Sequence, residues 1–243
     1  MRKLVLFDID GTILSTGGIG GRALYQAIEE VCHEKKMFGD NPTPALGRVR
    51  MSGGMDTQIV HDILEGVLPE STIQQLLPDI FDRIAKLLRE GCKAAGANVI
   101  LLDGVRELIS AVADHEGCLP GLLTGNNKGG AAAKLDVFNL NPFFQFGAFG
   151  DDARSRNALP AIAACRAFEK TGERFTGKDI VIIGDTPRDI ECARHAGAYA
   201  IAVATGTYSR AELTPYQPDV LFDDLSDTQN VMATILSANG AQA

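Results

Sequence analysis

Positive charge is in short supply. Against 31 acidic residues stand 23 lysines and arginines, a formal net charge of −8 at pH 7. That balance argues against nucleic acid or an anionic membrane surface as the main partner, while leaving room for a local basic site for a small anion. Cysteine is equally sparse: Cys32, Cys92, Cys118, Cys165 and Cys192 are odd in number, scattered and without a C-x-x-C pair. Such a set fits free thiols in a reducing compartment better than a disulfide framework or a zinc site. No apolar run approaches a membrane span. The earliest run is too short for a signal peptide and leads straight into charge, so a cytoplasmic protein is expected. Repeats and low-complexity tracts are absent, and His33, His61, His115 and His195 are isolated without metal-ligand spacing, which places them on helix surfaces. What remains is ordinary for a globular chain: 243 residues, 45% hydrophobic and 22% charged, enough for a substantial core in one large or two smaller domains.

The most informative stretch is Leu4-Val5-Leu6-Phe7-Asp8-Ile9-Asp10-Gly11-Thr12. Four apolar residues end abruptly in two carboxylates, a glycine and a hydroxyl. A short continuous apolar run reads as a strand buried on both faces, and parallel sheets present their chemistry at the carboxyl ends of such strands. Two carboxylates two residues apart repel unless a cation or a shared proton joins them, and hard divalent ions such as Mg²⁺ take carboxylate oxygens. A simple Asp-Gly surface turn is the bland alternative. A calcium loop is not, because its sixth and twelfth positions, Gly and Glu, are here Ile13 and Ile19.

The glycines at 17, 18, 20 and 21 carry no Walker lysine, and Gly18-x-Gly20-x-x-Ala23 does not follow directly on a strand, so they read as a hinge. From Arg22 to about Ala97 apolar residues fall at helical spacing: Leu24, Ile28 and Val31, then Ile59 to Val67, then Ile73 to Leu88. Helices without an intervening strand predict a small bundle. Its loop with Gly47, Arg48, Arg50, Ser52, Gly53, Gly54 and Asp56 is either a substrate contact or a solvated turn. After Asn98 helices and strands alternate, with strands expected at Leu119–Leu123, Phe144–Phe149, Ile180–Ile183, Ala200–Val203 and Val220–Phe222. Alternation implies crossovers and a parallel sheet. The expected fold class is α/β, a doubly wound parallel-sheet core of residues 1–15 and 98–243, interrupted by a helical-bundle cap of residues 16–97.

Three strands end in groups that carry chemistry: Asp8 and Asp10, Thr124-Gly125-Asn126, and Asp185 with Asp189. In an open parallel sheet these ends share one edge. Acids for a cation, a hydroxyl and amides for anion oxygens, and nearby Arg154 and Arg156 make an outfit for phosphoryl transfer. Over essentially its whole length the chain resembles the haloacid dehalogenase superfamily, in its phosphoglycolate-phosphatase-like branch with a helical cap after the first strand. The resemblance rests on Asp8-Ile9-Asp10-Gly11-Thr12 and Gly184-Asp185-x-x-x-Asp189.

It implies a Mg²⁺-dependent phosphomonoester hydrolase acting on a small phosphorylated metabolite, as a monomer or homodimer. Asp8 would be the nucleophile, and Asp10 the proton carrier with its backbone carbonyl on the metal. Asp185 would complete the metal shell with Asp189 in support. Gly11, Thr124, Gly125 and Asn126 would hold phosphate oxygens. The family usually places a lysine before the helix that precedes the Asp185 strand. None is present, and Arg156, at the matching distance from Pro160, is the substitute, with Arg154 as the alternative. Lys128 is expected on the surface or at a helix start, and Arg188 either at the site rim or in a salt bridge. A β-phosphoglucomutase-like mutase would use the same two acids. A hydrolytic dehalogenase would lack Asp10, and a response-regulator-like domain would carry no helical insert.

Overall fold

The structure, a computed structural model, describes residues 2–39, 51–95 and 98–238. Its centre is β1 (Lys3–Phe7), every residue of which is buried. The strand is flanked on both sides, by β4 (Cys118–Leu123) and β6 (Ile180–Gly184), all parallel. With β5 (Gly147–Ala148), β7 (Tyr199–Val203) and β8 (Val220–Phe222) the sheet runs β5-β4-β1-β6-β7-β8. The doubly wound α/β expectation is therefore borne out.

The alternation of the strands divides two apolar cores. Val5, Phe7, Val181, Ile183, Ile201 and Val203 face α4 (Val105–Asp114), α5 (Lys128–Asp136) and α8 (Thr228–Ser237). Leu4, Leu6, Ile182, Ala200 and Ala202 face α6 (Leu159–Thr171) and α7 (Pro187–His195). Because both faces are covered, the strands read as continuous apolar runs, and each large aliphatic side chain buried this way contributes about 1.5–3 kcal/mol.

Between β1 and β4 the chain forms α1 (Ile19–Glu34), α2 (Asp56–Leu64) and α3 (Glu70–Ala95), which share a third apolar cluster built on Leu24, Ile28, Ile63 and Ile80. Helix α5 joins the two halves: Ala131 and Leu135 pack into the sheet side, whereas Ala133 packs into the helical cluster. Its Gly129 and Gly130 lie against Ala85 and Leu88 of α3. No helix among the described residues is long and apolar enough to cross a membrane.

Several local expectations need correction. The strand foreseen over Phe144–Phe149 is only Gly147–Ala148, preceded by a 3-10 turn at Asn141–Phe143. Phe144 instead stacks edge-to-face on Phe7, at 5.8 Å between ring centres. A small antiparallel pair, β2 (Leu14–Ser15) with β3 (Ile100–Leu101), has too few residues to leave a periodic signal. Gly17 and Gly18 make a left-handed turn, but Gly20 and Gly21 belong to the first turn of α1. His61 is buried rather than on a surface, bonded to Gln74 and paired with Glu70. Gly47, Arg48 and Arg50 of the expected loop lie outside the described residues.

Candidate active site

The carboxyl ends of β1, β4 and β6 meet at one edge. Asp8 continues the β1 ladder, its amide donating to the Ile183 carbonyl at 3.0 Å, so its side chain is fixed relative to β6. Next along β6 comes Asp185, followed by α7. That helix opens with a capping box in which the Thr186 amide (3.0 Å) and hydroxyl (2.6 Å) donate to Asp189 Oδ2. Carboxylate oxygens of Asp8, Asp185 and Asp189 lie within 4.8 Å of one another, and all three residues are buried. Gly11 follows with φ of 83°, a left-handed backbone suited to glycine. A side chain there would also collide with Asp185.

Arg156 supplies the cation. It is 7% exposed, and its Nη2 lies 3.2 Å from Asp8 Oδ1 and bonds Asp189 Oδ1. Its Nε is buried with no hydrogen-bond partner, a donor whose desolvation costs about 1–3 kcal/mol until an acceptor arrives. Burial pushes the Asp8 carboxyl up from 3.8 to about 6, with Arg156 opposing and Asp189 and Asp10 adding repulsion. Asp185 is raised well above the ordinary carboxylate range, by burial first and then by the neighbouring acids. Burial disfavours the Arg156 guanidinium, but Asp189 and Asp8 outweigh it and hold it more firmly protonated than usual.

From β4, Thr124 is fully buried, its amide donating to the Ala148 carbonyl, and its hydroxyl accepts from the side chain of Asn126 at 2.9 Å. Asn126 also donates to Asp10 Oδ2 at 2.7 Å. The Asp10 side chain thus points away from the three clustered acids. It is bound by Lys134, which donates to Oδ1 at 2.8 Å and to Oδ2 at 2.5 Å. The edge opens into a cavity of about 530 Å³. The insert closes over it: the Asp56 amide donates to the Gly125 carbonyl (2.8 Å), Asp56 Oδ2 accepts from the amide and side chain of Asn127, and Thr57 bonds the Gly150 carbonyl.

Sequence reasoning placed Asp8, Asp185, Asp189 and Arg156 in one cluster, and the structure brings them together. Gly11, Thr124, Gly125 and Asn126 line the same cavity. Asp10 lines it too, but stands outside the group of acids close enough to share an ion. Arg154 stays out of the cavity, 65% exposed and paired with Glu70. Lys128 begins α5, and exposed Arg188 lies at the rim beside Gly53. Lys134 was missed, while Asp56, named only within a loop read as a substrate contact or a solvated turn, lines the cavity and bonds Asn127. For Lys134 the helix pattern gives only its place on the face shared with Gly130 and Ala131; nothing local names Asp10 as its partner.

A HAD-hydrolase-like family model matches residues 159–228. Phosphoglycolate phosphatase of Synechococcus elongatus is 28% identical over 137 residues, 56% of this chain and 61% of that protein. Pyrophosphatase PpaX of Listeria monocytogenes is 24% identical over 92% of this chain and 93% of its own. Among solved structures, a predicted phosphoglycolate phosphatase from Haemophilus somnus superposes with a TM-score of 0.62, at 19% identity over 95% of this chain and 98% of that one; this likeness concerns the fold. In its acid-edged parallel sheet and in sequence the chain is similar to these phosphatases. In sequence the chain is similar to haloacid dehalogenase-type hydrolases of the phosphoglycolate-phosphatase-like kind, the family match falling on residues 159–228.

Proposed function

We propose that the protein is a Mg²⁺-dependent phosphomonoester hydrolase that works through an aspartyl-phosphate on Asp8, on a small phosphorylated metabolite. One observation carries this reading: three buried acids cluster at the edge of a cavity, two of them paired with Arg156, whose buried Nε lacks a partner. Buried like charges of this kind are costly without a cation. Asp8 and Asp185 would hold the ion. Asp189, with one oxygen on Arg156 and the other on Thr186, would support them. Mg²⁺ supplies charge neutralisation and alignment for a carboxylate facing a phosphate dianion.

The rest follows from the chain's own groups. An Asp8 oxygen attacks phosphorus, and the bond from phosphorus to the alcohol oxygen breaks as Asp10 passes that oxygen a proton. Water then attacks the aspartyl-phosphate, gives its proton to Asp10, and frees Asp8 and phosphate. Arg156 and the Thr124 hydroxyl suit the phosphate oxygens, since both donate to anions, with Gly125 lining the cavity beside them. The insert, residues 16–97, would serve as the cap that excludes water and selects the leaving alcohol. Its cavity-facing side, with Leu24, Met51, Ile59, Ile84 and Leu88, supports a small and partly apolar alcohol.

The test is phosphate release from a panel of phosphorylated metabolites, including phosphoglycolate and hexose phosphates, with Mg²⁺ and with chelator. Turnover by wild type that vanishes in Asp8→Asn is the expected result. Undiminished turnover in that variant would sink the nucleophile assignment, and turnover that needs a bisphosphate activator would favour the mutase alternative.

A further inference from the structure

Lys134 is 3% exposed, and lysine is almost never that buried without a partner. It spends all three donors at the cavity: two on Asp10 and the third on Asn126 Oδ1 at 2.6 Å. Asn126 in turn donates to Asp10 Oδ2, which closes a triangle. The other fully buried lysine among the described residues behaves differently. Lys3 bonds the backbone carbonyls of Lys178 and Ala238 and pairs with Asp179, all remote from the cavity.

Asp10 needs outside support. Its side chain is 45% exposed, faces an open cavity and precedes a glycine with positive φ. Left alone, such a carboxylate would sample several rotamers. Lys134 comes from a rigid carrier. α5 is capped by the Asn127 side chain on the Gly130 amide, and is wedged between the sheet core and the helical cluster. Gly20 of α1 also sits over Lys134 Nζ, where a Cβ would lie 3.3 Å away.

We propose that Lys134 is a positioning residue for Asp10, holding that carboxyl toward the oxygen of the departing alcohol. The inference rests on the phosphatase reading above. Proton transfer by a well-placed acid is worth 10²–10⁴-fold, but only to leaving groups that need the proton. Losing the support therefore hurts alkyl phosphates far more than phosphates of acidic phenols.

Wild type, Lys134→Met and Asp10→Asn, with the double variant, are compared on p-nitrophenyl phosphate, phenyl phosphate and propyl phosphate, after circular dichroism and melting have checked the fold. Lys134→Met is expected to lose on the order of a hundredfold in kcat on propyl phosphate and less than about threefold on p-nitrophenyl phosphate. In the Asp10→Asn background the same substitution should add little. Should Lys134→Met fail to fold, Lys134→Gln keeps an uncharged amide donor and should give a leaving-group dependence between the two. An equal loss on all three esters, or a full further loss without Asp10, would overturn the assignment. If wild type hydrolyses none of them, or Asp8→Asn hydrolyses them as well, the phosphatase reading fails instead.

Discussion

Asp8 must be buried to exclude water and ionised to attack, and the two demands conflict. Its shift from 3.8 to about 6 corresponds to roughly 3 kcal/mol of penalty on the ionised form. The sign is fixed by linkage. With a folded value above the unfolded one, the native state binds an extra proton between about pH 4 and 6, so the metal-free protein loses stability as pH rises through that window. Asp185 pushes the same way. Urea titrations in chelator should show stability falling from about pH 4 to pH 7, with a smaller fall in Asp8→Asn and a gain on adding Mg²⁺ at neutral pH. A flat profile would mean that these acids are not buried together. Arg156 poses the reverse case. Arg156→Ala leaves Asp8 and Asp189 unpaired in the interior, at an expected cost of roughly 3–5 kcal/mol, and turnover should collapse. Arg154→Ala removes only an exposed pair with Glu70 and should leave the denaturation midpoint and kcat close to wild type. The opposite ranking would relocate the basic residue.

Among the elements, the turn after β4 fits closely against the insert. A Cβ on Gly125 would lie 1.9 Å from the Gly54 carbonyl oxygen, so Gly125→Ala must push the 51–56 loop off the strand end. The sheet should survive, because β4 itself is untouched. Since misplacement by about 1 Å can cost 10²-fold, turnover should fall by that order with little change in circular dichroism. Normal kinetics would show that this contact is not needed for catalysis. How much of this was legible follows from what each element owes to local sequence. β1 and β6 are apolar runs buried on both faces and ending in acid, so strand, sheet edge and clustered carboxylates could all be read directly. β2, β3 and β5 have two residues each, too few for any period, and exist only because the sheet and the insert bring partners to them. Lys134 looked like one more lysine in a helix. Its meaning depends on α3 covering that helix and on Asp10 standing 124 positions away, which no local pattern records.

At the scale of the whole molecule, the insert and the sheet meet through the packing of α3 on α5 and, around the cavity, through polar links: Asp56 on Gly125 and Asn127, and Thr57 on Gly150. Burial pushes the Asp56 carboxyl upward, with Asn127 opposing, so this junction holds an acid that is comfortable only while its partners stay in place. Such a seam is a natural place for local opening, whereas β1 opens only with the entire fold. A ligand that fills the cavity and binds the closed form stabilises it by mass action, by about 2.7 kcal/mol at a hundredfold excess over Kd. Hydrogen exchange with Mg²⁺ and inorganic phosphate should therefore slow most at the amides of Asp56 and Asn127. Amides inside β1 should change only as global stability changes. Equal slowing everywhere would mean that insert and sheet open as one unit, and the reading of residues 16–97 as a separately moving cap would have to be given up.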